Sequence, residues 1–191
     1  MLLTVFKKLL VRALFTGVLL IVVCSSQSLP YKHKFFFTGN EFPVPKVANQ
    51  LMYLQRDPNT NTIIYELNIR NNKLDADNPI HVFWIKFAER SQQEELSFVQ
   101  RKFAYGISTK HLTGEEYELH IVSYKKCTLH LMKDKDNQFH VYATINNRQA
   151  ILKRIFIHIK GGSLFFPNVQ YIELSGTDAV TGGDLVQQFK P

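Results

Sequence analysis

From residue 50 onward, apolar and polar side chains alternate in short runs rich in β-branched and aromatic residues, separated by residues that accept turn dihedrals. Period-two alternation of this kind predicts strands with one face turned to a core. The runs fall near 50–56, 61–69, 79–87, 115–124, 127–133, 138–145, 150–160 and 168–175, with a less regular ninth near 184–189. Between them stand Asp57 to Thr60, Asp134 to Asn137, Asn146–Asn147, Gly161–Gly162 and Thr181 to Gly183, all built of turn-forming types. One stretch, 91–104, departs from the rhythm. Leu96, Val99, Phe103 and Ala104 share a helical face with Phe98 off the stripe, Ser91 and Glu94 fit a capping box, and Gly106 can end the helix. The expected fold is mainly β, an antiparallel β-sandwich or open barrel of about eight to nine strands with one covering α-helix.

The amino terminus follows another pattern. Lys7, Lys8 and Arg12 precede an apolar run from Ala13 to Val23, and Cys24, Ser25 and Ser26 follow. Basic, apolar and small segments in that order read as a secretory signal over 1–28. Cys24 is a lipidation candidate, although Val23 is bulkier than a lipoprotein peptidase prefers; cutting after Ser26 or Ser28 is the alternative, and extending the run back to Leu9 would allow an uncleaved anchor. Either route predicts an exported protein, in the periplasm or on a membrane surface. Residues 29–49, with Phe35 to Phe37 and the helix-breaking Pro43 and Pro45, read as an extended tether. A single β domain follows over 50–191.

Composition narrows the chemistry. Once Cys24 is removed or acylated, Cys127 is the domain's one thiol, so an intramolecular disulfide and a cysteine-rich zinc site are both excluded. Net charge is +7, with 23 basic and 16 acidic residues; removing the three leader cations leaves 20 against 16, or +4. The densest basic runs include Lys125–Lys126 and Lys153–Arg154, too sparse for a nucleic-acid-binding face. No G-x-S-x-G elbow, H-E-x-x-H motif or phosphate-cradling loop occurs. The pairs Glu94–Glu95 and Glu115–Glu116 diverge in direction as sequence neighbours do. Cys127 alternates with Leu129 and Leu131, which predicts an inward-packed thiol.

Two constellations remain. On the strand near 61–69, Ile63, Tyr65, Leu67 and Ile69 share one side and Thr62, Ile64, Glu66, Asn68 and Arg70 the other. Arg56, Glu66, Asn68, Trp84 and Lys86, with Gln100, Arg101 and Tyr105 from the helical stretch, are the candidate ligand-binding set. The same residues also suit a structural network in which Lys86 or Arg101 neutralises Glu66. His120, His130 and His140 fall on three successive strands and would form a row if the strands register. A flat row at strand spacing is a poor tetrahedron for zinc, so exposed histidines without metal are expected, and no cofactor is.

The segment 50–68, "PIHVFWIKF" (79–87), "LSFVQRKFAYG" (96–106) and "TINNRQAILKRIF" (144–156) carry a recognisable pattern, marked by Gln55–Arg56, Asn61–Thr62, Tyr65 to Asn68, Trp84–Ile85, Gln100–Arg101 and Ala104 to Gly106. Through them the chain resembles a family of exported bacterial proteins, domain of unknown function family 4833, over about residues 42 to 191. The resemblance implies no activity, ligand or catalytic residue. The expected function is a non-enzymatic ligand-binding or envelope-assembly module, its partner a small molecule or an envelope protein, with membrane attachment through the amino terminus. The alternative is a hydrolase or lyase acting on an envelope polymer or lipid, with Glu66 as acid or base.

Overall fold

The computed structural model describes residues 42–163 and 167–191. The expected signal segment with Cys24 and the Phe35 to Phe37 patch lie outside the described residues. Strands β1 (Gln50–Arg56) and β2 (Asn59–Leu67) form the first hairpin, and the chain then makes a small separate ribbon from β3 (Ile69–Arg70) and β4 (Lys73–Leu74). Asn71 and Asn72 turn that ribbon with φ of 50° and 60°, a left-handed backbone that asparagine tolerates. Next come β5 (Ile80–Lys86), a 3-10 turn (Phe87–Glu89), β6 (Gln92–Glu95), α1 (Phe98–Phe103) and β7 (Ile107–His111). The remaining strands are β8 (Tyr117–Ile121), β9 (Tyr124–Lys133), β10 (Phe139–Ile145), β11 (Arg148–Gly162), β12 (Pro167–Asp178) and β13 (Asp184–Phe189).

Eleven of these strands form one curled, mixed sheet, a half-barrel, in the order β6-β5-β2-β1-β11-β10-β9-β8-β7, with β12 and β13 joined through β11. The 15-residue β11 organises it. Residues Ala150 to Gly162 pair antiparallel with β12, while Arg148 to Ile151 pair with β10 and Arg154 to Ile157 pair with β1. A strand has two edges, so β10 and β1 follow one another along the edge that β12 leaves free. Two branches, β1-β2-β5-β6 and β10-β9-β8-β7, therefore leave the same strand. The β1–β11 pair is parallel; every other pair is antiparallel.

The inner face carries one core. Met52, Leu54, Ile63, Tyr65, Trp84, Leu119, Leu129, Leu131, Val141, Ile145 and Leu152 all belong to a single apolar cluster spanning both branches. These are the apolar members of the alternating runs, which is why the pattern in the sequence maps onto the layer. The other side of β1, β2, β5 and β11 also buries side chains. Ile64 and Phe83 face each other across the β2–β5 pair, and Phe156 meets Phe42 edge-on at 5.1 Å. Gln55, 1% exposed, bonds Pro43 O, Thr62 Oγ1 and Arg154 Nε on that side, and Arg154 continues to Glu173 of β12.

The helical stretch differs from expectation in two ways. Residues 92–95 are a strand on the edge of β5, and the helix proper is only 98–103. Its capping box is Ser97 with Gln100, not Ser91 with Glu94. Arg90 and Ser91 instead turn the chain with φ of 63° and 58°. Val99 and Phe103, expected to face the sheets, point to solvent with Phe98; the segment is anchored through Leu96 and Tyr105 on its flanks. Among the described residues no helix is long and apolar enough to cross a membrane.

Candidate functional site

The parallel register Arg56↔Ile157 carries the β1–β2 turn to the end of β11. The N–H of Asp57 donates to Ile157 O at 3.3 Å, and from there the Asp57 carboxylate meets β11 with both oxygens. Oδ1 accepts the N–H of Ile159 at 2.6 Å, and Oδ2 pairs with His158 Nδ1. The His158 ring stacks on Tyr171 of β12 at 4.8 Å, so carboxylate and aromatic ring together fix the imidazole plane. Its Nε2 has no hydrogen-bond partner among the described residues.

Beside this pair opens a cleft of about 340 Å³ whose walls include Arg56, Asp57, Pro58, Ile159 and Gly161. Arg56 brings a positive charge to it, and Asp57, held by His158 and the Ile159 N–H, a negative one. Arg70, Arg101, Arg148 and Arg154 each reach a carboxylate, whereas half-buried Arg56 reaches none among the described residues. Its Nε is buried without a hydrogen-bond partner. The guanidinium carbon lies 5.7 Å from the centre of the Tyr105 ring, which stands edge-on to Trp84 at 5.1 Å. Burial raises the Tyr105 phenol above its ordinary value, with Arg56 working in the opposite direction. The buried Tyr65 hydroxyl donates to Tyr105 O at 2.8 Å and pins the backbone that carries this ring. Arg56, Trp84 and Tyr105 of the candidate set are thus brought together.

The rest of that set is distributed elsewhere. Glu66 accepts from His81 Nδ1 at 2.9 Å, His81 Nε2 meets Glu95 at 2.7 Å, and Glu95 meets Arg101 at 3.2 Å. The partner of Glu66 is therefore His81, and neither Lys86 nor Arg101 neutralises it directly. Lys86 bonds Glu94 at 2.5 Å and approaches Glu89 at 3.5 Å, away from Glu66. Asn68 donates to Asn78 O at 2.8 Å and holds the loop around β3 and β4, and Gln100 serves the helix cap. Asp57 and His158, in turn, gave no sequence signal beyond a turn aspartate and a strand histidine 101 residues apart.

The three strand histidines are staggered. Opposite His130 stand Glu118 and Tyr142, and opposite His140 stands Met132, so the imidazoles occupy diagonal positions. His120 Nε2 bonds Glu118 at 3.2 Å, and His140 Nε2 bonds Asp134 at 2.9 Å. The first bond, more than the other surroundings, lowers the Glu118 carboxyl below its ordinary value; for Asp134 the backbone N–H of Gln138 is the leading cause. Among the described residues no three His, Cys, Asp or Glu side chains are grouped to hold a metal. Cys127 is half-buried against the core, and burial raises its pKa, which makes it a poor nucleophile.

Fold and cleft define a mainly β half-barrel domain with a cleft, lined in part by Arg56 and Asp57, where its parallel strand pair ends. The profile of the family described as Domain of unknown function (DUF4833) matches residues 52–188, and the chain belongs to this family. No curated protein and no solved structure matches it.

Proposed function

We propose that the protein is an exported, non-enzymatic binding module whose cleft at the end of β1 and β11 takes a small molecule bearing a carboxylate or phosphate. The observation that carries this reading is Arg56, a half-buried guanidinium that lines the cleft with no carboxylate partner among the described residues. A desolvated cation without a counter-ion is costly, and an anionic ligand is the natural group to offset it. The Tyr105 ring, 5.7 Å from the guanidinium carbon, adds a cation–π contact that helps hold Arg56 in place. Export rests on the leader pattern at 1–28.

The test is calorimetric titration of a panel of small carboxylates and phosphates against the chain and its Arg56→Met variant. A ligand bound by the native chain should lose about tenfold to a hundredfold in affinity in the variant, the worth of a charge-assisted bond. Equal affinity in both would remove Arg56 from the site.

One observation favours a second reading, a hydrolase. Asp57 holds Nδ1 of His158 and leaves Nε2 unpartnered, the arrangement of an oriented general base. In that case turnover of an ester or amide panel would vanish in His158→Gln while anion binding persisted.

A further inference from the structure

Helix α1 shows its apolar side to water. Phe98 is 72% exposed, Val99 61% and Phe103 63%, although this is the helix whose apolar stripe ought to be covered. Its presentation is rigid. The Ser97–Gln100 capping box closes the first turn, and the Tyr105 N–H donates to Gln100 O at 2.8 Å. At Gly106 a Cβ would stand 1.9 Å from Arg101 O, so only glycine lets the chain leave the helix this closely. Flanking Leu96, 5% exposed, fastens the segment to the core.

We infer that α1 is a docking element for an anionic lipid surface. The charges point that way: the helix holds Arg101 and Lys102 and no carboxylate. Arg101 is held by Glu95, but Lys102 is unpaired among the described residues, its Nζ 5.4 Å from the Phe98 ring centre and 5.5 Å from that of Phe103. An ammonium set level with two outward aromatic rings suits the headgroup boundary, where rings enter the acyl region and the cation stays with phosphate. Area points the same way. Three side chains expose roughly 300–400 Å², well short of the roughly 800 Å² per partner of a stable protein interface. Shallow insertion into lipid needs no such area.

The experiment uses the full chain carrying Phe98→Trp, a change at an exposed position. The native Trp84 is 6% exposed and supplies a constant background measured in the unsubstituted chain. The protein is mixed with vesicles of phosphatidylcholine and phosphatidylglycerol whose acyl chains are brominated near the headgroup. Emission from position 98 should fall about twofold, as for a side chain seated some 5–10 Å into the boundary, and Lys102→Glu should restore it. Because the readout is local, attachment through the amino terminus cannot imitate it. Unquenched emission from vesicle-bound protein would overturn the proposal, as would a lipid-independent dimer in ultracentrifugation that Phe103→Ser abolishes, which would assign the face to a second copy of the chain.

Discussion

His81 shows how much a single residue's role depends on its neighbours across the sheet. Burial works against its charge, but hydrogen bonds to Glu66 and Glu95 outweigh burial and raise its pKa above the ordinary imidazole value. A raised folded-state pKa means that the folded protein holds the proton more tightly than the unfolded chain. The resulting stabilisation is complete below the unfolded value of about 6.5 and is lost as pH rises through the folded value. Glu66→Gln should therefore destabilise the domain by about 0.5–1 kcal/mol near pH 6, with the difference shrinking at an alkaline pH above the folded value. Urea unfolding at the two pH values measures this, and an equal or larger loss at the higher pH would contradict it. Glu66 was legible in the sequence as an outward carboxylate, but its partner was not. The pairs Glu66↔His81 and Phe83↔Glu95 depend on strand order and register, whereas alternation along one strand reports only which side a residue takes.

At the scale of elements, the strands that alternate were readable and those that do not were missed. β1, β2, β5, β10, β11, β12 and β13 all coincide with predicted runs, because their apolar positions enter one core. β6 reads Gln-Gln-Glu-Glu with every residue exposed, so no periodicity marks it, and the sequence pattern places these residues in the helix instead. Both Ser91 and Ser97 stand three residues before a Glu or Gln; pairing of 92–95 with β5 decides which becomes the cap. Close approach between elements likewise follows small residues. Gly176 lies opposite Leu152 in the β11–β12 pair, and a Cβ there would stand 2.3 Å from Ile151 O. Backbone cannot rotate away as a flexible side chain can, so Gly176→Ala must push β12 off β11. A loss of about 1–3 kcal/mol is expected in urea unfolding; a neutral result would mean that the two strands can separate there without cost.

The whole molecule hangs on β11, because β10 and β1 share its one edge and no other strand joins the two branches so directly. A common core spans both branches, with Trp84 on β5 and Leu129 and Leu131 on β9 in the same cluster. Neither branch buries its inner face alone, so the two should lose structure together. The chain supplies one probe for each. Trp84 is the single tryptophan, and Cys127 of β9 is the single thiol within the described residues. Trp84 emission reports the first branch, while reactivity of Cys127 toward a thiol reagent reports the second, with Cys24→Ser removing the chain's other thiol. The two probes should give the same urea midpoint and the same slope, the signature of one cooperative transition. Earlier exposure of Cys127 would show that β7 to β10 peel from β11 while β1, β2 and β5 hold. Such a result bears on the cleft, since Arg56 and Asp57 come from β1 and its turn, and Ile159 and Gly161, like the His158 that pairs with Asp57, from β11. These groups meet only through the parallel β1–β11 pair, so a β1 branch that stayed folded on β11 would keep the site intact even without its partner.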